Sequence, residues 1–268
     1  MFEQRFSFPM PVLLLLGMLL AGCTAPSTSV ALPSGRNAEW HLVVIGDSSM
    51  WEHGKAIASQ IEKDRGVKVV LDDFALPSLR ASMVREVLET GKSSNARLEK
   101  LPDALRDAEI VVMFVNPMGS IVPESTNNIE SCLLASPPEN CSLESFAAYT
   151  TDLKAIWAKI IALRKGKATI LRATDIYNPL VRNWNEAGVF DDCTTCWSNQ
   201  STAARQAAEA YSIPFISRYD AFNGASHTED PRDKGLIRED GEHPTELMGA
   251  EFASLLARLG YDPVSPPR

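Results

Sequence analysis

The chain has no run of lysine or arginine and no apolar stretch long enough to span a bilayer. With 26 Lys+Arg against 34 Asp+Glu and a net charge of −8, it offers no electrostatic footprint for a phosphate backbone, and nucleic acid is excluded as an expected partner. No internal repeat and no low-complexity block interrupts its 268 residues. A composition of 45% hydrophobic and 22% charged residues excludes disorder, a collagen-like fibre and a polytopic membrane protein. What remains is a globular chain of a length that suits one α/β domain with a sizeable core.

The one long apolar run, Val12 to Leu20, follows a short head carrying Arg5. Even extended to Gly22 it counts eleven residues, whereas a spanning helix needs about 20, so it has the proportions of a secretory h-region. The run closes in Leu20-Ala21-Gly22-Cys23, small residues before a cysteine that resemble a bacterial lipobox. The expectation is a signal peptide over residues 1–22, removed so that Cys23 becomes a lipidated N-terminus and anchors an extracytoplasmic lipoprotein to the membrane. Residues 24–38, rich in Ser, Thr, Ala and Pro, then form a flexible tether. The domain proper is expected over 39–262, with a short tail over 263–268.

Only four further cysteines exist, Cys132, Cys141, Cys193 and Cys196, an even set that suits an oxidising compartment. Nearness in sequence favours Cys132 with Cys141 and Cys193 with Cys196, out of three possible pairings. A four-thiolate zinc site usually has two close pairs and only one is present here, so no metal is expected. A thioredoxin-like role for Cys193 and Cys196 lacks a strand running into the motif and a helix start to lower a thiol.

From Trp40 onward, apolar runs and helical periodicities alternate. His41 to Gly46, Val67 to Leu71, Ile110 to Val115, Ala168 to Arg172 and Phe215 to Tyr219 have the β-branched or apolar character of buried strands. Between them, helical spacing covers Glu52 to Lys63, Leu79 to Thr90, Leu98 to Ala108, Phe146 to Leu163 and Ala203 to Tyr211, and a last helix spans Glu246 to Leu259. Two stretches, 118–144 and 176–198, fit neither period and are expected to be irregular inserts. Five strands alternating with helices predict a mostly parallel sheet covered on both faces, a three-layer α/β/α sandwich. In such sheets ligands bind beyond the carboxyl ends of the strands. That rule singles out Gly46-Asp47-Ser48, residues 72–78, Asn116, and the loops after Arg172 and Tyr219.

At the first of these places, Ser48 sits where a strand turns toward a helix and presents a hydroxyl and an N–H to the sheet edge. A turn in which Asp47 or Ser48 merely caps a helix is the plainer alternative. Near the other end of the chain, Asp240-Gly241-Glu242-His243-Pro244 precedes the final helix. A carboxylate three residues before an imidazole can hold Nδ1–H while Nε2 faces a hydroxyl, the help that a serine needs to become a nucleophile.

These two blocks, Val43-Val-Ile-Gly-Asp-Ser48 and Asp240-x-x-His243-Pro244, resemble those of the SGNH/GDSL hydrolases, serine esterases and lipases on a flavodoxin-like three-layer sheet. The resemblance covers Val43 to about Leu259. It implies Ser48 as nucleophile, His243 as base and Asp240 as its orienter, with no cofactor. The absence of a G-x-S-x-G elbow argues against the α/β-hydrolases. The middle blocks depart from the family pattern. Ser78 stands where the family has a glycine that supplies an oxyanion N–H, and serine adopts positive φ less freely. Asn116, in Phe114-Val-Asn116-Pro117, keeps a side-chain donor but loses the flanking Gly and Asp of the family block. The oxyanion hole implied by the resemblance is Ser48 N–H, Ser78 N–H and the Asn116 amide.

His41, His53 and His227 are weaker candidates for the base, with His53 expected to face solvent on the first turn of a helix. Asp47 is expected to tune the turn. Trp51, Trp184 and Trp197 are candidates to stack on a sugar or cover an acyl chain, though packing is the commoner role. The resulting expectation is an extracytoplasmic, lipid-anchored ester hydrolase acting on a small-molecule, lipid or carbohydrate ester. The alternatives are a catalytically silent polysaccharide-binding protein and an O-acyltransferase on the same fold.

Overall fold

The computed structural model describes residues 31–35, 37–117 and 129–264. The expected signal peptide, the lipidation site Cys23 and most of the tether lie outside the described residues. Five parallel strands form one sheet in the order β2-β1-β3-β4-β5, with β1 Glu39–Gly46, β2 Lys68–Ala75, β3 Ile110–Met113, β4 Ile170–Thr174 and β5 Phe215–Ile216. The order reverses direction at β1, between β2 and β3, which creates the crevice in which open α/β sheets hold their ligands.

The alternation of side chains along β1 divides the core. Val43 and Ile45 point into a layer built with α2 (Ala81–Thr90), α3 (Leu101–Asp107), α4 (Ala147–Leu163) and α6 (Phe190–Glu209), while Leu42 and Val44 point into a layer with α1 (His53–Arg65) and α8 (Glu246–Arg258). Both faces of β1 are therefore buried, which is why its sequence is a continuous apolar run. Two shorter helices, α5 (Val181–Ala187) and α7 (Arg218–Asn223), complete the set named here. Helix α1 ends where Gly66 takes a left-handed φ of 64° and its N–H returns to Glu62 O.

Several boundaries differ from the sequence expectation. β2 runs on to Ala75, because the half-buried Asp72 and Asp73 still pair with Val43 and Val44 of β1. β3 stops at Met113, and β4 lies two residues later than expected. β5 is only two residues long, since Ser217 caps α7 by accepting from Asp220 N–H at 3.0 Å and so ends the strand. The second insert is helical: α5 and the first turns of α6 occupy the stretch expected to be irregular.

That helix also overturns the pairing favoured by nearness. The disulfides are Cys132–Cys193 and Cys141–Cys196, with Cα separations of 5.4 and 4.7 Å. On α6 a three-residue spacing puts both thiols on one face, and both meet the segment 132–141 rather than each other. The chain flanking the expected domain also packs onto it. Leu32 lies against the α1/α8 layer, Pro33 O accepts from Trp40 Nε1 at 2.8 Å, and Val264 N–H donates to Thr169 O. Among the described residues no helix is long and apolar enough to cross a membrane.

Candidate active site

The turn after β1 needs a glycine. A Cβ on Gly46 would lie 2.3 Å from Met50 Cγ and 2.9 Å from the carbonyl of Phe114, closer than atoms pack. Beyond it the chain enters a single 3₁₀ turn, Ser48–Met50, before α1 begins at His53. Asp47 fixes this turn from both sides: Oδ1 accepts from Ser49 N–H at 2.8 Å and Oδ2 from Asn116 Nδ2 at 3.0 Å. The buried carboxylate thus joins the carboxyl ends of β1 and β3 and holds Ser48 at the crevice between them.

The Asp240–His243 loop reaches the same place from the far end of the chain. It is closed on itself by Arg238 N–H to His243 O at 2.8 Å and Gly241 N–H to Arg238 O at 2.9 Å. Arg238 Nε also donates to Pro244 O, and its guanidinium pairs with Glu52 at the start of α1. Tyr177 OH donates to Glu242 O at 3.0 Å. Thr245 then caps α8. So held, His243 Nε2 lies 3.0 Å from Ser48 Oγ, and Nδ1 lies 3.0 Å from Asp240 Oδ2. The second carboxylate oxygen accepts the backbone N–H groups of Glu242 and His243, each at 2.9 Å. Partial burial alone would raise the Asp240 carboxyl, but the hydrogen bonds from the two backbone N–H groups and from the imidazole bring it below its ordinary value. Asp240 keeps Nδ1 protonated and leaves the Nε2 lone pair toward the hydroxyl.

Ser78 stands on the rim of the same pocket, with φ of 56°. The left-handed conformation that serine adopts reluctantly is the one it holds here, a conformation that glycine takes freely. Asn116 follows β3 and lines the pocket beside Ser48 and Ser78. The structure thus brings together Ser48, Ser78, Asn116, Asp240 and His243. A hydroxyl, imidazole and carboxylate in this order can pass a proton from oxygen to imidazole during attack on a carbonyl, and N–H groups gathered around the hydroxyl can hold the resulting oxyanion. Among the described residues no group of three or more His, Cys, Asp or Glu is placed to hold a metal ion.

The other candidates separate. His53 is fully buried, against the expectation that it faces solvent: α1 turns this residue inward onto Phe252, and its Nδ1 bonds Trp51 O at 2.8 Å. Burial, aided by the Arg218 cation, pushes its imidazole down to about 3. His41 sits on β1 between Glu39 and Asp72, and His227 stacks on Tyr219 and bonds Asp220; neither lines the pocket. Trp51 stacks flat on His243, ring centroids 4.6 Å apart at 17°. Trp184 is a core residue that donates to Cys132 O, whereas Trp197 lines the pocket.

Two buried charges beneath the site have no counterpart in the sequence reading. Asp175, just past β4, accepts from Ser201 Oγ, Ser217 Oγ, Arg218 N–H and Tyr219 N–H. Arg218 donates through Nε to Asp175 O and through Nη1 to Ser49 O at 2.7 Å, so it grips the Ser48 turn from below. Its guanidinium is ringed by Phe114, Tyr177 and Phe252. Burial pushes the Asp175 carboxyl up and the Arg218 guanidinium down, each opposed by hydrogen bonds or by the other's charge. The available signal was topological: Asp175 directly follows β4 and Arg218 lies two residues past β5, at the sheet edge where ligands bind.

No protein-family model matches the chain, and no curated protein matches it in sequence. Solved structures do resemble it. The lipase Lip_vut3 from a goat rumen metagenome aligns at 16% identity with a TM-score of 0.57, over 83% of this chain and 98% of the lipase. A lipase/acylhydrolase from Enterococcus faecalis aligns at 14% identity and TM-score 0.49, over 85% of this chain and 99% of its own. A putative SGNH hydrolase from Slackia heliotrinireducens aligns at 17% identity and TM-score 0.42, over 83% and 98%. The first of these likenesses, with the five-stranded parallel sheet, establishes the fold: the chain shares the three-layer α/β/α fold of that lipase.

Proposed function

We propose that the chain is an extracytoplasmic, lipid-anchored serine hydrolase that cleaves carboxylic esters through an acyl-enzyme on Ser48. Ser48 Oγ attacks the ester carbonyl as its proton passes to His243 Nε2, while Asp240 holds the imidazolium that forms. Ser48 N–H, Ser78 N–H and Asn116 Nδ2 receive the oxyanion. Collapse of the tetrahedral adduct expels the alcohol, which takes the proton from His243. Water then gives a proton to His243 and attacks the acyl group, and Ser48 leaves with that proton restored. The substrate is a small-molecule, lipid or carbohydrate ester.

The observation that carries this reading is the unbroken chain of 3.0 Å contacts from Ser48 Oγ through His243 to Asp240, assembled from residues 195 positions apart. The positive φ of Ser78 favours hydrolysis over a silent binding role, because it keeps the glycine-like backbone path that an oxyanion N–H requires. Purified residues 24–268 should hydrolyse p-nitrophenyl acetate, and Ser48→Ala or His243→Ala should each lower the rate by about 10⁴ or more with unchanged circular dichroism. Equal rates in the wild type and Ser48→Ala would defeat the proposal. Support for the anchor comes from Leu20-Ala21-Gly22-Cys23, and for export from two disulfides suited to an oxidising compartment. Metabolic lipid labelling should be present in the wild type and lost in Cys23→Ala; an unlabelled wild type would sink the anchor.

A further inference from the structure

The pocket over Ser48 has two unlike sides. His243 leads into α8, on one face of the sheet, whereas Ile129, Leu133 and Trp197 belong to or pack against the core layer on the opposite face. In the proposed reaction the leaving alcohol must lie at His243 Nε2 to be protonated. The acyl group, on the other side of the carbonyl carbon, is then directed toward Ile129, Leu133 and Trp197.

Building on the hydrolase reading, we infer that this wall selects short acyl groups, acetyl foremost, and that the two disulfides exist to hold it closed. Three observations carry this. The cavity over Ser48 measures about 90 Å³. A cavity of about 150 Å³ is needed for a body the size of benzene, so an acetyl group fits and an eight-carbon chain does not. The far side also carries Gln200, whose buried Oε1 has no partner among the described residues. A buried amide at the far end of the pocket gives an alkyl chain a polar rather than an apolar surface to lie against, which does not favour long acyl groups.

The third observation is the placing of the cross-links. Cys132 lies between Ile129 and Leu133 and is bonded to Cys193; Cys196 adjoins Trp197 and is bonded to Cys141. Hydrogen bonds run beside each bridge, Trp184 Nε1 to Cys132 O at 2.7 Å and Asn199 Nδ2 to Cys141 O at 2.6 Å. Both halves of the wall are thus fixed to one another within one to three residues of the side chains that bound the cavity. On the opposite side Glu242 is exposed and Asp240 keeps 47% of its side-chain surface in solvent, so the alcohol portion is not confined in this way.

The test compares kcat/KM for p-nitrophenyl acetate and p-nitrophenyl octanoate in the wild type, Leu133→Ala and Trp197→Ala, with fluorophosphonate labelling run on each. The wild type should favour acetate by at least about tenfold, and either truncation should raise the octanoate-to-acetate ratio by about tenfold. Leu133 is only partly buried, so its truncation keeps the test decisive where loss of the core residue Trp197 prevents folding. A wild type that labels but cleaves octanoate as readily as acetate would overturn the inference and leave the hydrolase reading standing. So would labelled variants whose ratio does not move. A wild type that neither labels nor hydrolyses acetate would overturn the hydrolase reading itself, and this inference with it.

Discussion

Two charged constellations stand at the same edge of the sheet, and they are built in opposite ways. Asp175 and Arg218 lie wholly inside, each satisfied by several hydrogen bonds. Asp240 and His243 lie in a loop, with 47% and 23% of their side chains exposed. Moving a proton requires a group that can change charge at small cost, which a solvated loop allows and a sealed interior does not. Holding a backbone turn in place requires the reverse. The inner pair sets the position of the Ser48 turn, and in the proposed reaction the outer pair works on its hydroxyl.

If this division is right, the two sets respond differently to substitution. After Ser48→Ala and His243→Ala, the largest effect on rate is expected from Asp240→Asn, which leaves the loop in place but removes the anion that fixes the imidazole tautomer. Its kcat for p-nitrophenyl acetate should fall by about 10³–10⁴, with thermal unfolding nearly unchanged. Arg218→Met should do the opposite work. Stripping the cation from a buried site leaves Ser49 O and Asp175 O without their donors and removes the charge that opposes the buried Asp175 carboxylate, at a cost of about 3–5 kcal/mol read from urea unfolding. A smaller loss of rate, about 10²–10³, is expected for Asn116→Ala, which removes one of the proposed oxyanion donors.

The last effect is read through pH, at a buried imidazole that belongs to neither set. His53 is neutral in the fold down to about 3, while in the unfolded chain it takes up a proton near 6.5. Between those values the unfolded state binds more protons, so stability rises with pH across that window and falls as pH drops from about 6.5 toward 3. The slope from this one group reaches at most about 1.4 kcal/mol per pH unit. His53→Gln should flatten the pH dependence of unfolding in that window while the activity profile keeps its shape. An unflattened slope would place the acid sensitivity elsewhere.

The sheet, its two faces and its ligand edge were legible because they follow from period and run length: a fully apolar Leu42 to Ile45 can only be an interior strand. Ser48, Asp240 and His243 were legible from short motifs at the places that topology marks. The helical nature of 181–198 was not, since the buried face there is made of Val, Cys and Trp rather than a regular aliphatic stripe, whereas Ala203 onward was expected to be helical. The disulfide partners followed from that helix, and nearness in sequence pointed elsewhere. Asp175 and Arg218 escaped because a charge beside a strand gives no sign of its burial until the elements around it, β4, β5 and the Ser48 turn, are brought together. His53 escaped for the same reason, as one residue of α1 whose inward face is set by packing against Phe252 of α8.

The most direct test is to treat residues 24–268 with a fluorophosphonate and locate the adduct by peptide mass spectrometry. A single phosphonyl group on Ser48, absent from His243→Ala, is the predicted result. An unlabelled wild-type protein, or a label on any other residue, would contradict the assignment of Ser48 and His243 as nucleophile and base.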